Sequence, residues 1–411
     1  MQDIVIIGAG MAGLSCAYTL YKNGVNSLIL EQSDAVGGRI RTDNVDGFLL
    51  DRGFQILLTA YPTAQEVLDY QALNLQHFHS GAWVHVGKSF QKLGDPKRHR
   101  DELWQTLFAN VGKLSDKLKI NKLRRTLQHK SVEEIFGHSD VTVLETLRQH
   151  WGFSESMIDM FFRPFIGGIM LDHSLRTSNA MFEFVMKLFA EGTAAVPANG
   201  MQAIPENLAS KMPASNLRLN TSVESIEKNA VILSDGERIE AETIVIATDA
   251  FSASQLVAFP QLPKFRSVHN VYFAADEAPM DAPVLALEAE PIGPINNLTV
   301  MSNVAPQYAP KGKHLISATI LEDRPEIRNG LESSVRKHAK IWFGDQVNKW
   351  EHLHTYHIAQ ALPDQRNLPF TRQGFRQISP QLFVCGDYQN FGAIEGALLS
   401  GRRVAETILN Q

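Results

Sequence analysis

The stretch from Asp3 to Thr42 constrains this chain most. Ile4-Val5-Ile6-Ile7 is a β-branched run of the kind that forms a strand buried on both faces, and it leads directly into Gly8-Ala9-Gly10-Met11-Ala12-Gly13. The spacing of Leu14, Ala17, Tyr18 and Leu20 predicts a helix ended by Gly24, and Ser27-Leu28-Ile29-Leu30 predicts a second strand with Glu31 at its tip. Strand, glycine turn, helix, strand and acid in that order form a dinucleotide-binding fingerprint. Gly8 permits the tight turn, Gly10 lets a pyrophosphate reach the backbone, and Gly13 lets the helix pack closely on the strand. The N–H groups at the helix start, Met11 and Ala12 among them, then face the phosphates, while Glu31, with Gln32 beside it, accepts from ribose hydroxyls.

Ala35-Val36-Gly37-Gly38-Arg39-Ile40-Arg41-Thr42 narrows the choice of dinucleotide, because its guanidinium falls beside the pyrophosphate. G-A-G-M-A-G-L followed by E-x-x-x-x-x-G-G-R-x-x-T resembles the flavoprotein superfamily of flavin amine oxidases, protoporphyrinogen oxidases and phytoene (carotenoid) desaturases. The resemblance implies an extended FAD whose pyrophosphate lies at Gly8 to Gly13, Gly38 and Arg39. It places Gly53, Phe54, Gln55 and Ile56 beside the flavin ring and a backbone amide of Val223 at the adenine. Near the end of the chain, Leu382-Phe383-Val384-Cys385-Gly386-Asp387 reads as a buried strand ending in Gly-Asp, and a last helix opens at Gly392 to Gly396. Asp387 would bond the ribityl chain, and the helix start at Ile394, Glu395, Gly396 and Ala397 would direct N–H groups at the flavin C2 carbonyl and N1, stabilising the reduced anion.

The fold expected is α/β: a Rossmann-like FAD-binding domain of the glutathione-reductase type (residues 1–65, 197–250 and 370–411) and a discontinuous α+β substrate-binding domain (66–196 and 251–369). A mainly helical insertion over 98–195 belongs to the second. With 411 residues the chain can bury such cores, and 44% hydrophobic and 20% charged residues fit a globular protein. A net charge of −5 argues against nucleic acid as the partner. Two cysteines, Cys16 in the first helix and Cys385 in a late strand, fit a reducing, cytoplasmic compartment without a structural disulfide. The first strand begins so early that no leader peptide is expected, and Met157 to Met170, the most apolar stretch, is broken by Asp159, Arg163, Pro164 and two glycines, so no membrane span is expected.

Further along, Ala82 to Phe90 reads as one strand, and Asp95 to Arg100 begins a basic helical block. Lys113 to Lys130 interleaves Lys117, Lys119, Lys122, Arg124 and Arg125 with Leu114, Leu118, Ile120, Leu123 and Leu127. This stretch reads as a helix with a solvated face; the alternative is peripheral contact with an anionic bilayer. Ser131 to Glu134 and Thr142 to Glu145 have the form of capping boxes. Between Trp151 and Ala190, Phe161, Phe162, Phe165, Phe182, Phe184 and Phe189 with Met157, Met160, Met170, Met181 and Met186 supply core and adaptable walls for a large apolar ligand. Pro197 to Met201 resembles the turn by which such chains re-enter the FAD domain, with Asn199 where glycine is common and a positive φ tolerable. Arg238–Ala241 and Thr243–Ala247 read as separate strands, and Tyr356 to Pro363 leads back towards the flavin.

The single dinucleotide fingerprint leaves no site for a nicotinamide donor, and neither a C-x-x-C pair nor a metal-ligand spacing is present; His352, His354 and His357 read as one strand face. A hydrophobic small molecule is therefore expected to give a hydride directly to flavin N5, with oxygen or a quinone as electron acceptor. Amine oxidases of the superfamily carry an aromatic residue two positions before the Glu-Gly of the last helix, where this chain has Ala393. That favours a desaturase-like or porphyrinogen-oxidising dehydrogenase; the alternatives are an amine oxidase releasing hydrogen peroxide, and a flavin-bound isomerase or lipid-binding protein without net turnover. Arg52, Gln55 and Tyr356 fall near the ring by motif position and are the candidates for a catalytic part, each of them equally suited to a structural one.

Overall fold

The computed structural model describes residues 2–94, 109–137, 141–259, 261–321, 330–366 and 373–411; the basic block expected from Asp95 lies outside them. The chain opens with β1 (Gln2–Ile7), α1 (Met11–Lys22) and β2 (Leu28–Leu30), then a hairpin of β3 (Thr42–Val45) and β4 (Phe48–Asp51), the short α2 (Pro62–Val67), and a second hairpin, β5 (Gly81–Val86) and β6 (Ser89–Gly94). Helices α3 (Leu114–Gln128), α4 (Arg163–Met170) and α5 (Asn179–Glu191) follow. Next come β7 (Leu217–Arg218), β8 (Val223–Glu227), β9 (Ala230–Leu233), β10 (Arg238–Ile246), β11 (Phe265–Ala275), β12 (Leu285–Glu288), β13 (Ile295–Val300) and β14 (His314–Leu321). The chain closes with α6 (Leu331–Phe343), β15 (Glu351–Pro363), β16 (Arg376–Ser379), β17 (Leu382–Val384) and α7 (Ile394–Leu409).

Five strands in the order β7-β2-β1-β10-β17 pair in parallel, and β16 joins antiparallel to β17. Ile4 to Ile7 are all buried: Ile4 and Ile6 share a core with α1 and α7, while Val5 and Ile7 pack with Val231 and Ile239 on the other face. Both faces of β1 are covered, which is why its sequence shows no alternation. The strand ends at Gly8, whose φ of +104° a side chain would strain. At Gly13 a Cβ would lie 2.0 Å from the Gly8 carbonyl oxygen, so only glycine lets α1 start this close to the strand.

The two strands expected over 238–247 are one. Burial alternates from Arg238 to Glu242 and becomes continuous from Ile244 to Ile246, because the first half of β10 pairs antiparallel with β9 at the surface and the second half pairs parallel with β1 in the interior. Conversely, the single strand expected over Ala82–Phe90 is the β5–β6 hairpin, turned at Gly87 with φ +64°. At the re-entry turn Gly200, not Asn199, takes the positive φ, at +89°.

The second layer is a sheet in the order β15-β11-β14-β13-β12-β5-β6, antiparallel except where β12 meets β5. Its outer face, with Val271, Phe273, Ile316, Ala318 and Ile320, packs beneath Val335, Ala339 and Trp342 of α6. By strand alternation Asn270, Tyr272, Ser317 and Thr319 occupy the inner face, and the Tyr272 hydroxyl reaches across to donate to the Asp51 carbonyl at 2.9 Å. Both capping boxes form: Ser131 with Glu134 and Thr142 with Glu145 exchange side-chain and backbone bonds. Leu123 and Leu127 anchor α3 in the core, whereas Leu114 and Leu118 stand 60% and 66% exposed. Among the described residues no helix is long and apolar enough to cross a membrane.

Candidate active site

A cavity of about 800 Å³ runs between the two layers, within the range of sites that enclose organic ligands. One end lies at the carboxyl edge of the parallel strands. There Glu31, 6% exposed, accepts from the Ala9 N–H at 2.7 Å and, through its other oxygen, from the Ser33 N–H and hydroxyl at 2.8 and 2.7 Å. Gln32, Thr221 and Val223 line the wall beside it. Gly8, Gly10, Met11 and Ala12 bring the start of α1 to the cavity, and its first turn holds no acidic residue to neutralise the free N–H groups. A Cβ on Gly10 would meet nothing within 4 Å, so the cavity reaches the backbone itself there. Gly37 and Gly38, both at positive φ, fold the following loop over this turn, with the Gly37 N–H donating to the Ala9 carbonyl at 2.9 Å.

Arg39 sits midway. Its guanidinium donates to Asp387 at 2.5 Å and to the Ala361 carbonyl at 3.1 Å. Burial works against its charge, yet Asp387 holds its pKa above the ordinary arginine value. Gly386 and Asp387 line the cavity as the exit of β17. Gly53, Phe54, Gln55 and Ile56 pass along the wall; Gln55 donates from Nε2 to the Arg39 carbonyl at 3.0 Å, and its Oε1 is buried with no hydrogen-bond partner among the described residues. The start of α7 closes this part through Ala393, Ile394 and Ala397.

Three residues of the motifs are placed differently from a lining position. Gly13 serves packing, as described, and at Gly396 a Cβ would fall 1.9 Å from the Phe391 carbonyl oxygen, so that glycine seats the helix end. Glu395, 3% exposed, turns away and accepts from the Thr63 N–H at 2.9 and 3.1 Å and the Ala64 N–H at 3.2 Å, capping α2. Of the ring-side candidates, Arg52 reaches the cavity but is held by Asp43 through Nε and Nη2, each at 2.9 Å. The Tyr356 hydroxyl also donates to Asp43, at 2.6 Å, and Tyr356 is not among the lining residues. Of these three candidates, Gln55 alone presents a buried polar atom without a partner among the described residues.

Asp51, 1% exposed, braces the segment from behind. It accepts from the Thr42 hydroxyl at 2.6 Å, the Met201 N–H at 2.9 Å and the Tyr308 hydroxyl at 2.7 Å. Burial pushes its carboxyl up to about 6 although these donors pull the other way.

The opposite end is apolar. Pro164, Phe165, Ile169 and Met170 of α4 and Met181, Phe184, Val185 and Phe189 of α5 form its walls, with Leu285 and Ile358 from the second sheet. Phe161, Phe162, Phe182, Met157, Met160 and Met186 do not reach it. Helical spacing separates the two sets, since 181, 184, 185 and 189 share one face. Sequence reasoning missed Asn297 and Thr319, which supply the polar part of this wall, and Thr248, Asp249 and Tyr388 beside the parallel strands.

A model of the flavin containing amine oxidoreductase family matches residues 11–409. The chain belongs to this family. FAD is its cofactor, and the residues fit it: two helix starts converge on one cavity, a glycine turn exposes backbone, and Gln55 offers an unpaired acceptor. Among relatives, an L-amino-acid oxidase of Protobothrops flavoviridis is 25% identical over 301 residues, covering 65% of this chain and 57% of that protein. This flavoprotein thus spans less than two thirds of that oxidase's length. A coproporphyrinogen III oxidase of Propionibacterium freudenreichii subsp. freudenreichii is 24% identical over 429 aligned positions, covering 84% of this chain and 80% of that protein. Among solved structures, an oxidoreductase from Methanosarcina mazei superposes with a TM-score of 0.75 at 20% identity, over 98% of this chain and 100% of that one. Bound FAD would supply a two-electron acceptor; the glycine turn, the start of α1 and Arg39 are the groups that would hold its phosphates, and apolar side chains line the far end of the cavity.

Proposed function

We propose that this chain is an FAD-dependent dehydrogenase acting on a hydrophobic, isoprenoid- or porphyrinogen-like substrate, with oxygen or a quinone as the final electron acceptor. In this reading the parallel layer is a Rossmann-like FAD domain of the glutathione-reductase type, the second layer with α3 to α5 is the substrate domain, and the exposed stripe of α3 is a solvated face, with contact to anionic lipid as the alternative. Glu31 and Val223 hold the adenosine, the start of α1 with Gly38 and Arg39 the pyrophosphate, Asp387 the ribityl chain, and the start of α7 the flavin ring.

One observation carries the choice of substrate. The wall contributed by residues 164–189, 268–319 and 358 contains no charged side chain. The charged residues that do line the cavity are Glu31, Arg39, Glu224, Asp249 and Asp387 towards the parallel strands, and Arg52, which Asp43 already pairs. An ammonium buried in the apolar end would be uncompensated, at a cost of several kcal/mol. A C–H bond on an apolar skeleton needs only to be held and oriented there. The coverage of the coproporphyrinogen III oxidase, 80% of its length, supports the same reading.

The test is anaerobic titration of the purified holoprotein with a porphyrinogen, a polyene and a panel of primary and secondary amines, followed by flavin absorbance. Bleaching by the first or second supports the proposal. Bleaching by amines alone, with hydrogen peroxide released in air, would replace it with the amine oxidase reading. Binding or rearrangement of the substrate without bleaching would make the chain an isomerase or carrier.

A further inference from the structure

The inner face of the second sheet is polar where it meets the cavity. Asn270 of β11, Thr319 of β14 and Asn297 of β13 stand directly opposite one another on three adjacent strands. They are 0%, 4% and 4% exposed. Asn297 donates from Nδ2 to the Thr319 hydroxyl at 3.2 Å, and Thr319 donates to Asn270 Oδ1 at 3.1 Å. The row continues to Ser317, which accepts from Asn270 Nδ2 at 3.0 Å. Thr319 and Asn297 are also the residues that break the otherwise apolar wall.

Apolar side chains would fill this face at no desolvation cost, as they do on the outer face of the same three strands. The bonds within the row keep its members paired, and they also fix the Asn297 amide. That amide is not saturated: Nδ2 makes one bond to Thr319, and Oδ1 accepts one from Asn296 at 2.9 Å. A primary amide has two donors and two acceptor sites, so one of each remains on a residue that lines the cavity.

We infer that Asn297, oriented by Thr319 and Asn270, is a specificity-determining residue that takes a neutral hydrogen-bonding group on an otherwise apolar substrate. A hydroxyl, a carbonyl or a pyrrole-type N–H meets the requirement, because the amide can donate or accept. A plain hydrocarbon leaves the amide unpaired and is disfavoured. The inference rests on the proposed apolar substrate and narrows it.

Farnesol and farnesene share a skeleton and differ by a hydroxyl. Each would be titrated anaerobically into the holoprotein, with perturbation of the visible flavin bands as the readout of binding. Farnesol should bind about tenfold more tightly, the ratio expected of one net neutral hydrogen bond. Asn297→Leu should abolish the ratio by weakening farnesol binding and tightening farnesene binding, with FAD still retained. Equal binding of the two probes to the wild-type protein overturns the inference, and needs no variant to fold. A ratio that survives Asn297→Leu overturns it as well. Failure of both probes to bind refutes the isoprenoid form of the reading beneath it, and the inference drawn with these probes falls with it.

Discussion

Asp51 offers a quantitative check on how the ring-side segment is held. Its carboxyl moves from an ordinary 3.8 to about 6 on folding, because burial outweighs the bonds from Thr42, Met201 and Tyr308. A raised native pKa means that the unfolded chain ionises first. The contribution to stability is therefore fully present below the unfolded value and is lost as pH rises through about 6. At about 1.4 kcal/mol per pH unit the loss reaches about 3 kcal/mol at neutral pH. Asp51→Asn removes the ionisation and keeps the geometry: Oδ1 still accepts from the Thr42 hydroxyl and the Met201 N–H, and the amide can donate to the Tyr308 hydroxyl in place of accepting from it. Denaturant unfolding of both proteins, followed by circular dichroism, should show the variant ahead by up to about 3 kcal/mol near pH 8, with the gap closing near pH 4. A gap of the same size at both pH values, or one that widens on acidification, would refute the reasoning.

Glu395→Ala should strand two buried N–H groups at the start of α2 and lower stability by about 2–4 kcal/mol, read as a fall in thermal midpoint. Glu395→Gln, which keeps an acceptor, should recover most of it; a wild-type midpoint for the alanine variant would show that the cap is idle. Asp387→Ala and Gly8→Val should each lower the flavin retained through purification, and normal flavin content in both would overturn the cofactor assignment. On α3, a solvated face predicts no cosedimentation with vesicles containing phosphatidylglycerol; cosedimentation that is reduced by replacing Leu114 and Leu118 together by Ser would favour the lipid contact instead.

The end of the cavity at the parallel strands was legible because its signals are local. Gly8 to Gly13, Gly37 to Arg39 and Gly386-Asp387 each set a backbone path within a few residues, so spacing along the chain reports geometry. The apolar end was legible only as far as helical period reaches: Met181, Phe184 and Phe189 fall on one face of α5, but nothing in the sequence says that this face meets a cavity and not a core. The polar row was invisible because it depends on register between three strands. Asn270, Thr319 and Asn297 are unremarkable one by one and become neighbours only when β11, β14 and β13 align. Glu395 was misread for a related reason. Its position in the last helix suggested a lining role, while its partner at Thr63 lies 332 residues away.

The placement of β1 also bears on how the protein comes into being. β1 needs β10 as a neighbour, and β10 in turn needs β17, which is made much later. On the ribosome Ile4 to Ile7 can pair early only with β2, leaving an apolar edge open until β10 emerges. Non-local parallel pairing of this kind is slow, since long loops must close before any contact rewards them. The two helix starts that frame the cavity lie far apart along the chain, so the two come together only once α7 has been made. Expression yield should then depend on chaperone supply and on flavin available at release, and nascent fragments should be the species that aggregate.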